Sequence, residues 1–117
     1  MGVYIFKSKH GDYVKVGHYA KTNPWSRVSK RGFYSCICPD SIQDKVSVDD
    51  LDLRHWFPNL STKHEKEIHN IIMDHKVCGE WFYTSSLIEL LQYLNNLDND
   101  VANTCSREAA INSRYRL

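Results

Sequence analysis

The chain has 117 residues, 25% of them charged and 42% apolar, with three Pro and five Gly. Those figures describe one compact domain rather than a disordered, collagenous or repeat protein, and no apolar run approaches the roughly 18 residues of a membrane span. Val3 to Phe6 are too few to form the core of a secretion signal. Four cysteines without an export signal are expected to stay reduced, so an intracellular protein is expected, neither secreted nor membrane-bound.

The net charge of +1 hides an asymmetry. Residues 1–31 carry seven Lys/Arg against Asp12 alone, while the remainder is acidic. A basic N-terminal third attracts a polyanion through its local field, or is a solvated surface that folding intermixes with acidic residues. Charge alone does not choose between them.

Val3–Lys7 and Tyr13–Gly17 are rich in β-formers, and Ser8-Lys9-His10-Gly11 between them is turn-like, which predicts a hairpin. A four-residue loop sets Lys7 opposite Asp12, Phe6 opposite Tyr13 and Tyr4 opposite Lys15. Alternation then places Tyr4, Phe6, Tyr13 and Lys15 on one sheet face and Val3, Ile5, Val14 and Val16 on the core face. A short helix follows, with Asn23 as its cap, Pro24 at its first position, Lys30 and Arg31 near its end, and Gly32 as its stop. Phe33–Cys38 reads as a third strand, and residues 40–60 as a long, partly packed connection.

Residues 63–76 read as a helix with Ile68, Ile71, Ile72 and His75 on one stripe. Gly79 resets the chain before Glu80-Trp81-Phe82-Tyr83. A last helix has Ser86 and Glu89 as a capping box and Leu87, Leu90, Leu91 and Leu94 as its seam. The domain is placed at 1–97, with 98–117 as a C-terminal tail, packed or mobile, in which Arg107–Ile111 is the candidate for a short helix.

Several clusters invite chemistry. His64 and His69 imitate a zinc helix but stand five apart, about 140° round the helix, so one face does not carry both. Cys36 and Cys38, with Cys78 and Cys105, complete no zinc spacing and read as small buried thiols. Glu65 emerges at the edge of the buried stripe, where a carboxylate needs a partner: a metal ion, or the N-cap amide if Thr62 and Glu65 form a capping box. His69, one turn on, orients a ligand or sits at the helix–sheet boundary. Lys15 beside Tyr4 favours the phenolate, so either group could take a proton from water; the alternative is an ordinary cross-strand pair. Arg27 has a fork suited to phosphate oxygens, or is a surface arginine lying on Trp25.

Gly2-Val3-Tyr4 followed by Lys15-Val16-Gly17 resembles the paired signature of the GIY-YIG nuclease superfamily. Asn23-Pro24 leading to Arg27, the Glu65–His69 helix and Gly79-Glu80-Trp81-Phe82 follow in order, similar to the phage- and virus-borne branch. The resemblance spans residues 2 to about 94. It implies a small α/β sandwich, a central three-stranded antiparallel sheet flanked by helices, that cuts DNA with one divalent cation, Mg²⁺ or Mn²⁺. By that resemblance Glu65 binds the metal, Tyr4 and Lys15 manage the proton, and Arg27 stabilises charge on the phosphate. Lys7, Lys9, Lys21, Lys30, Arg31 and His69 would contact DNA, and double-strand cleavage would need a homodimer or successive nicks.

Lys15 stands where the family name has Tyr, as in some restriction-type members, and Arg31 stands where many members place a His. His18, His10 and His69 are the available substitutes for that His. Two other readings stand beside the nuclease: a non-catalytic nucleic-acid-binding module on the same fold, and a protein-interaction (inhibitor) domain using Trp56-Phe57 and the acidic segment.

Overall fold

The computed structural model describes residues 2–28 and 39–96. The expected Phe33–Cys38 strand, Lys30, Arg31, Cys36, Cys38, Cys105 and the 98–117 tail lie outside the described residues. In chain order the elements are β1 (Gly2–Ser8), β2 (Tyr13–Tyr19), α1 (Trp25–Val28), β3 (Leu51–Phe57), α2 (Thr62–Ile71), β4 (Lys76–Cys78), β5 (Trp81–Tyr83) and α3 (Leu87–Asn95). The fold is α/β, and its sheet is antiparallel with five strands in the order β3-β1-β2-β5-β4, not three.

The expected hairpin forms with a different register. Phe6 faces Lys15, Tyr4 faces Gly17 and Lys7 faces Val14, two residues away from the pairing that a four-residue loop gives. The wider loop is closed from within, because the Lys7 ammonium donates to Ser8 O at 2.7 Å and Gly11 O at 2.9 Å. A shift of two preserves side-chain parity, so the division of faces holds. Tyr4 and Phe6 lie in one buried cluster, and Val3, Ile5, Val14 and Val16 in the other.

Both faces are covered. On the Tyr4 face α1 packs through Trp25 and Val28, with Ile42, Val46, Leu51, Leu53 and Trp56; Trp25 meets the Phe6 ring edge-on at 4.9 Å. On the other face α2 and α3 supply Ile68, Leu90 and Leu94. Asn23 caps α1 as expected, its Oδ1 accepting from Trp25 N–H at 3.0 Å.

Strand β3 occupies what reads as a connection in the sequence. Leu51 and Leu53 point inward and Asp52 and Arg54 outward, as suits an edge strand that blunts itself with charge. A bulge opposite the Ile5–Phe6 step then shifts the register, so Trp56 joins the Tyr4-face cluster and Phe57 the opposite one. Both are buried, at 3% and 4% exposure, so the Trp56-Phe57 surface invoked for a protein-interaction domain is core.

Two caps differ from expectation. At α2 the N-cap is Ser61, reciprocated by His64, whose Nδ1 accepts from Ser61 N–H at 3.0 Å; Thr62 and Glu65 do not form the box. Helix α2 ends at Ile71, which is exposed, and His75 sits in a 3-10 turn beyond it. At α3, Ser86 is already helical and makes no side-chain cap. Glu89 instead pairs with His75 at 2.9 Å. Tyr93 Oη donates to Glu67 at 2.5 Å, so the two contacts lay α3 antiparallel to α2. Leu90 and Leu94 form the seam, Leu87 is half-buried and Leu91 is exposed. Among the described residues no helix is long and apolar enough to cross a membrane.

Candidate metal centre

Strand β2 outruns its neighbour. β2 continues to Tyr19, but its pairing with β5 covers only Tyr13, Val14 and Lys15. Backbone groups of alternate residues project from the same edge of a strand, so beyond Lys15 the groups of Val16 and His18 face outward where β5 has ended. Those of Val16 find substitutes. Val16 N–H donates to Glu80 O at 3.1 Å. Val16 O accepts from His69 Nε2 at 2.8 Å. The His18 amide lies close enough to the Glu65 carboxylate to act on its pKa. Residues one turn apart on α2 thus stand where a longer β5 would run, which places both side chains at one spot.

Glu80 completes the group. It follows Gly79, whose φ of 55° turns β4 into β5, and the following Trp81 and Phe82 are buried on opposite faces, fixing the hairpin against β2. One ligand atom each from Glu65, His69 and Glu80 lies within 4.8 Å of the others, a grouping able to hold a metal ion. A carbonyl can only accept, so His69 donates from Nε2 and, when neutral, keeps its lone pair on Nδ1. Its ring is further fixed edge-on against Phe82, at 5.0 Å between centroids. Burial, and after it the neighbouring Glu80 charge, push the Glu65 carboxyl above its usual range.

The other face contributes Lys15 and Tyr4. Lys15 is 1% exposed, and its Nζ reaches Glu80 Oε1 at 2.6 Å. The same ammonium lies 5.9 Å from the centre of the Tyr4 ring. Tyr4, also 1% exposed, crosses β2 at Gly17, where a Cβ would collide with Tyr4 Oη and Cζ. Tyr4 and Lys15 are therefore neighbours on one buried face rather than a directly opposed pair on a half-exposed one. Four consecutive residues of β2 carry the site: the Lys15 side chain, the Val16 carbonyl, the bare Gly17 Cα and the His18 amide.

The structure thus gathers Tyr4, Lys15, Glu65, His69 and His18, and adds Glu80. His18 Nε2 is buried and has no hydrogen-bond partner among the described residues. Arg27 is exposed on α1, on the Tyr4 side of the sheet and opposite α2. Lys7 closes the hairpin loop, Lys9 is exposed at 3.9 Å from Asp52, and Lys21 is exposed beyond β2. Sequence reasoning names Glu80 within a motif but gives it no role. The available signal is a carboxylate placed between a turn glycine and two aromatics that fill both faces. No described protein family, curated protein or solved structure matches the chain.

Proposed function

We propose that this protein is a divalent-metal-dependent DNA endonuclease that hydrolyses phosphodiester bonds. The observation that carries the reading is the convergence of Glu65, His69 and Glu80 beside Lys15 and Tyr4 at the open end of β2. The donor set fits a cation. Two carboxylates and an imidazole bring ligand atoms within 4.8 Å of one another, and His69, whose Nε2 donates to the Val16 carbonyl, keeps its lone pair on Nδ1. Two carboxylates suit Mg²⁺ or Mn²⁺, and the imidazole favours Mn²⁺ of the two. When bound, such a cation supplies charge stabilisation at a phosphoryl oxygen and a more acidic water.

The remaining work falls to the chain's own groups. Water attacks phosphorus, the new P–O bond forms, and the bond to the leaving oxygen breaks. Tyr4, as the phenolate, takes the proton of the attacking water while the Lys15 ammonium, which has no lone pair to offer, keeps the phenol's surroundings positive; His18 is the alternative base, and the leaving oxygen takes its proton from solvent water. Arg27 presents a planar fork to the phosphate oxygens. Lys9 and Lys21 contact the phosphate backbone, which positions DNA without reading its sequence. The expected ends are 5′-phosphate and 3′-hydroxyl, and one centre cuts one strand.

Nicking of supercoiled plasmid with Mg²⁺ or Mn²⁺, beside EDTA and Glu65→Gln controls, tests the reading. Nicking that disappears in both controls supports it. Salt-sensitive DNA binding with no nicking from folded protein in either cation would replace it with the non-catalytic binding module.

A further inference from the structure

Glu80 already holds a cation. The Lys15 ammonium sits 2.6 Å from its Oε1, and the Lys15 side chain is only 2% exposed. A charge so removed from water requires its counter-ion. The ammonium reaches Glu80 from the Tyr4 face, because Lys15 lies beside the Tyr4 ring. Glu65 and His69 come to the same carboxylate from α2, which covers the opposite face. One carboxylate therefore stands between two cation seats, one occupied by the chain's own lysine.

We infer that Lys15 is an exchangeable stand-in for the metal: ammonium and divalent cation exclude one another at Glu80, so loading the centre moves Lys15 off Glu80 toward the Tyr4 face. Three observations support exclusion. Ligand atoms of Glu65 and Glu80 within 4.8 Å of one another concentrate negative charge, and in the unloaded protein the Lys15 ammonium is the cation that stands beside them. A divalent ion held by the same carboxylates repels an ammonium 2.6 Å from one of their oxygens. The Lys15 ammonium already lies 5.9 Å from the centre of the Tyr4 ring, so it can turn toward that ring face, which attracts a cation, without leaving its own side of the sheet. The consequence for the nuclease reading, on which this last step rests, is an order of assembly. The cation enters first, and only then is the Lys15 ammonium presented to an anionic phosphodiester oxygen. Without the cation the site keeps its lysine occupied and binds phosphate weakly.

The test follows the Lys15 ammonium and the cation directly, without DNA. In full-length ¹⁵N-labelled protein the Lys15 side-chain ammonium signal, assigned by its absence in Lys15→Met, is expected to persist in EDTA because burial and Glu80 shield it from exchange. Saturating Mg²⁺ should shift it or broaden it away. Mn²⁺ binding followed by electron paramagnetic resonance should be about tenfold tighter or more in Lys15→Met than in the parent. It should be lost in Glu65→Gln. A Lys15 signal unchanged at saturating Mg²⁺, or a Lys15→Met Kd within about twofold of the parent, overturns the exchange while leaving the metal centre standing. No Mn²⁺ uptake by either protein at millimolar concentration removes the centre and the nuclease reading with it. If Lys15→Met does not fold, the parent's own signal, assigned through Lys15→Arg, decides the question.

Discussion

Tyr4 and Gly17 face each other across β1 and β2, and the phenol of Tyr4 lies over the one position in β2 that has no Cβ. The ring can cross its neighbouring strand only there, and so comes to rest beside the Lys15 ammonium. Gly17→Ala forces the ring to move within a packed face. We expect a loss of about 1–3 kcal/mol in stability, read by thermal denaturation, and a fall in plasmid nicking that exceeds what the stability loss explains. An alanine variant that melts and nicks like the parent would remove Tyr4 from the proton step.

Arg27 sits on the exposed side of a four-residue helix whose Trp25 and Val28 are buried. Exchanging it for lysine keeps the charge and removes the planar fork. Stability should change by no more than about 0.5 kcal/mol, whereas cleavage should fall about 100- to 1000-fold if the fork holds charge developing on phosphate. Single-turnover nicking measures the effect, and full activity in Arg27→Lys would return Arg27 to the status of a surface residue.

The elements nearest the site were the most legible in the sequence. The period-two alternation of β1 and β2 is visible because both faces are lined by long apolar or aromatic side chains, and it survives a register error of two. The partner identity did not survive, because loop width depends on Lys7 folding back on Ser8 and Gly11, a contact that no local pattern announces. Strand β3 reads as part of a partly packed connection because its outward positions are Asp52 and Arg54 and its bulge breaks the alternation before Trp56. The metal group was half legible. Glu65 and His69 share a helix and a turn, but Glu80 lies 65 residues from Lys15 in the chain, and only the sheet order brings β5 against β2.

Asp50 gives the fold an acid-sensitive joint. Hydrogen bonds from the Ser47 side chain, and then from His10 and the Ser47 backbone, hold its carboxyl below the model-compound value of 3.8, against the opposing effect of burial. His10 belongs to the hairpin tip and Asp50 immediately precedes β3, so the 2.8 Å contact ties the loop to the edge strand. A depressed folded-state pKa means that the unfolded chain binds the proton first. The stabilisation is therefore complete above 3.8 and is lost as pH falls through the lower folded value. Asp50→Asn should lower the melting temperature at neutral pH and flatten the acid limb of the stability curve. A curve parallel to that of the parent down to pH 2.5 would show that Asp50 carries none of the acid sensitivity.

Glu65 and Ser61 separate the cap from the ligand. The α2 cap belongs to Ser61 and His64, so Ser61→Ala should cost about 1 kcal/mol, equally in EDTA and in Mn²⁺. Glu65→Gln keeps the size and shape of the side chain and relieves the repulsion from Glu80 that, after burial, helps raise the Glu65 pKa. In EDTA it should melt at or slightly above the parent temperature. A ligand that binds only the folded state adds about 2.7 kcal/mol at a hundred times its Kd, and that Mn²⁺-dependent gain should be present in the parent and in Ser61→Ala but absent in Glu65→Gln. Nicking should follow the same division. Glu65→Gln as unstable as Ser61→Ala in EDTA, yet still stabilised by Mn²⁺, would make Glu65 a structural cap of the β2 edge and transfer the cation to other groups.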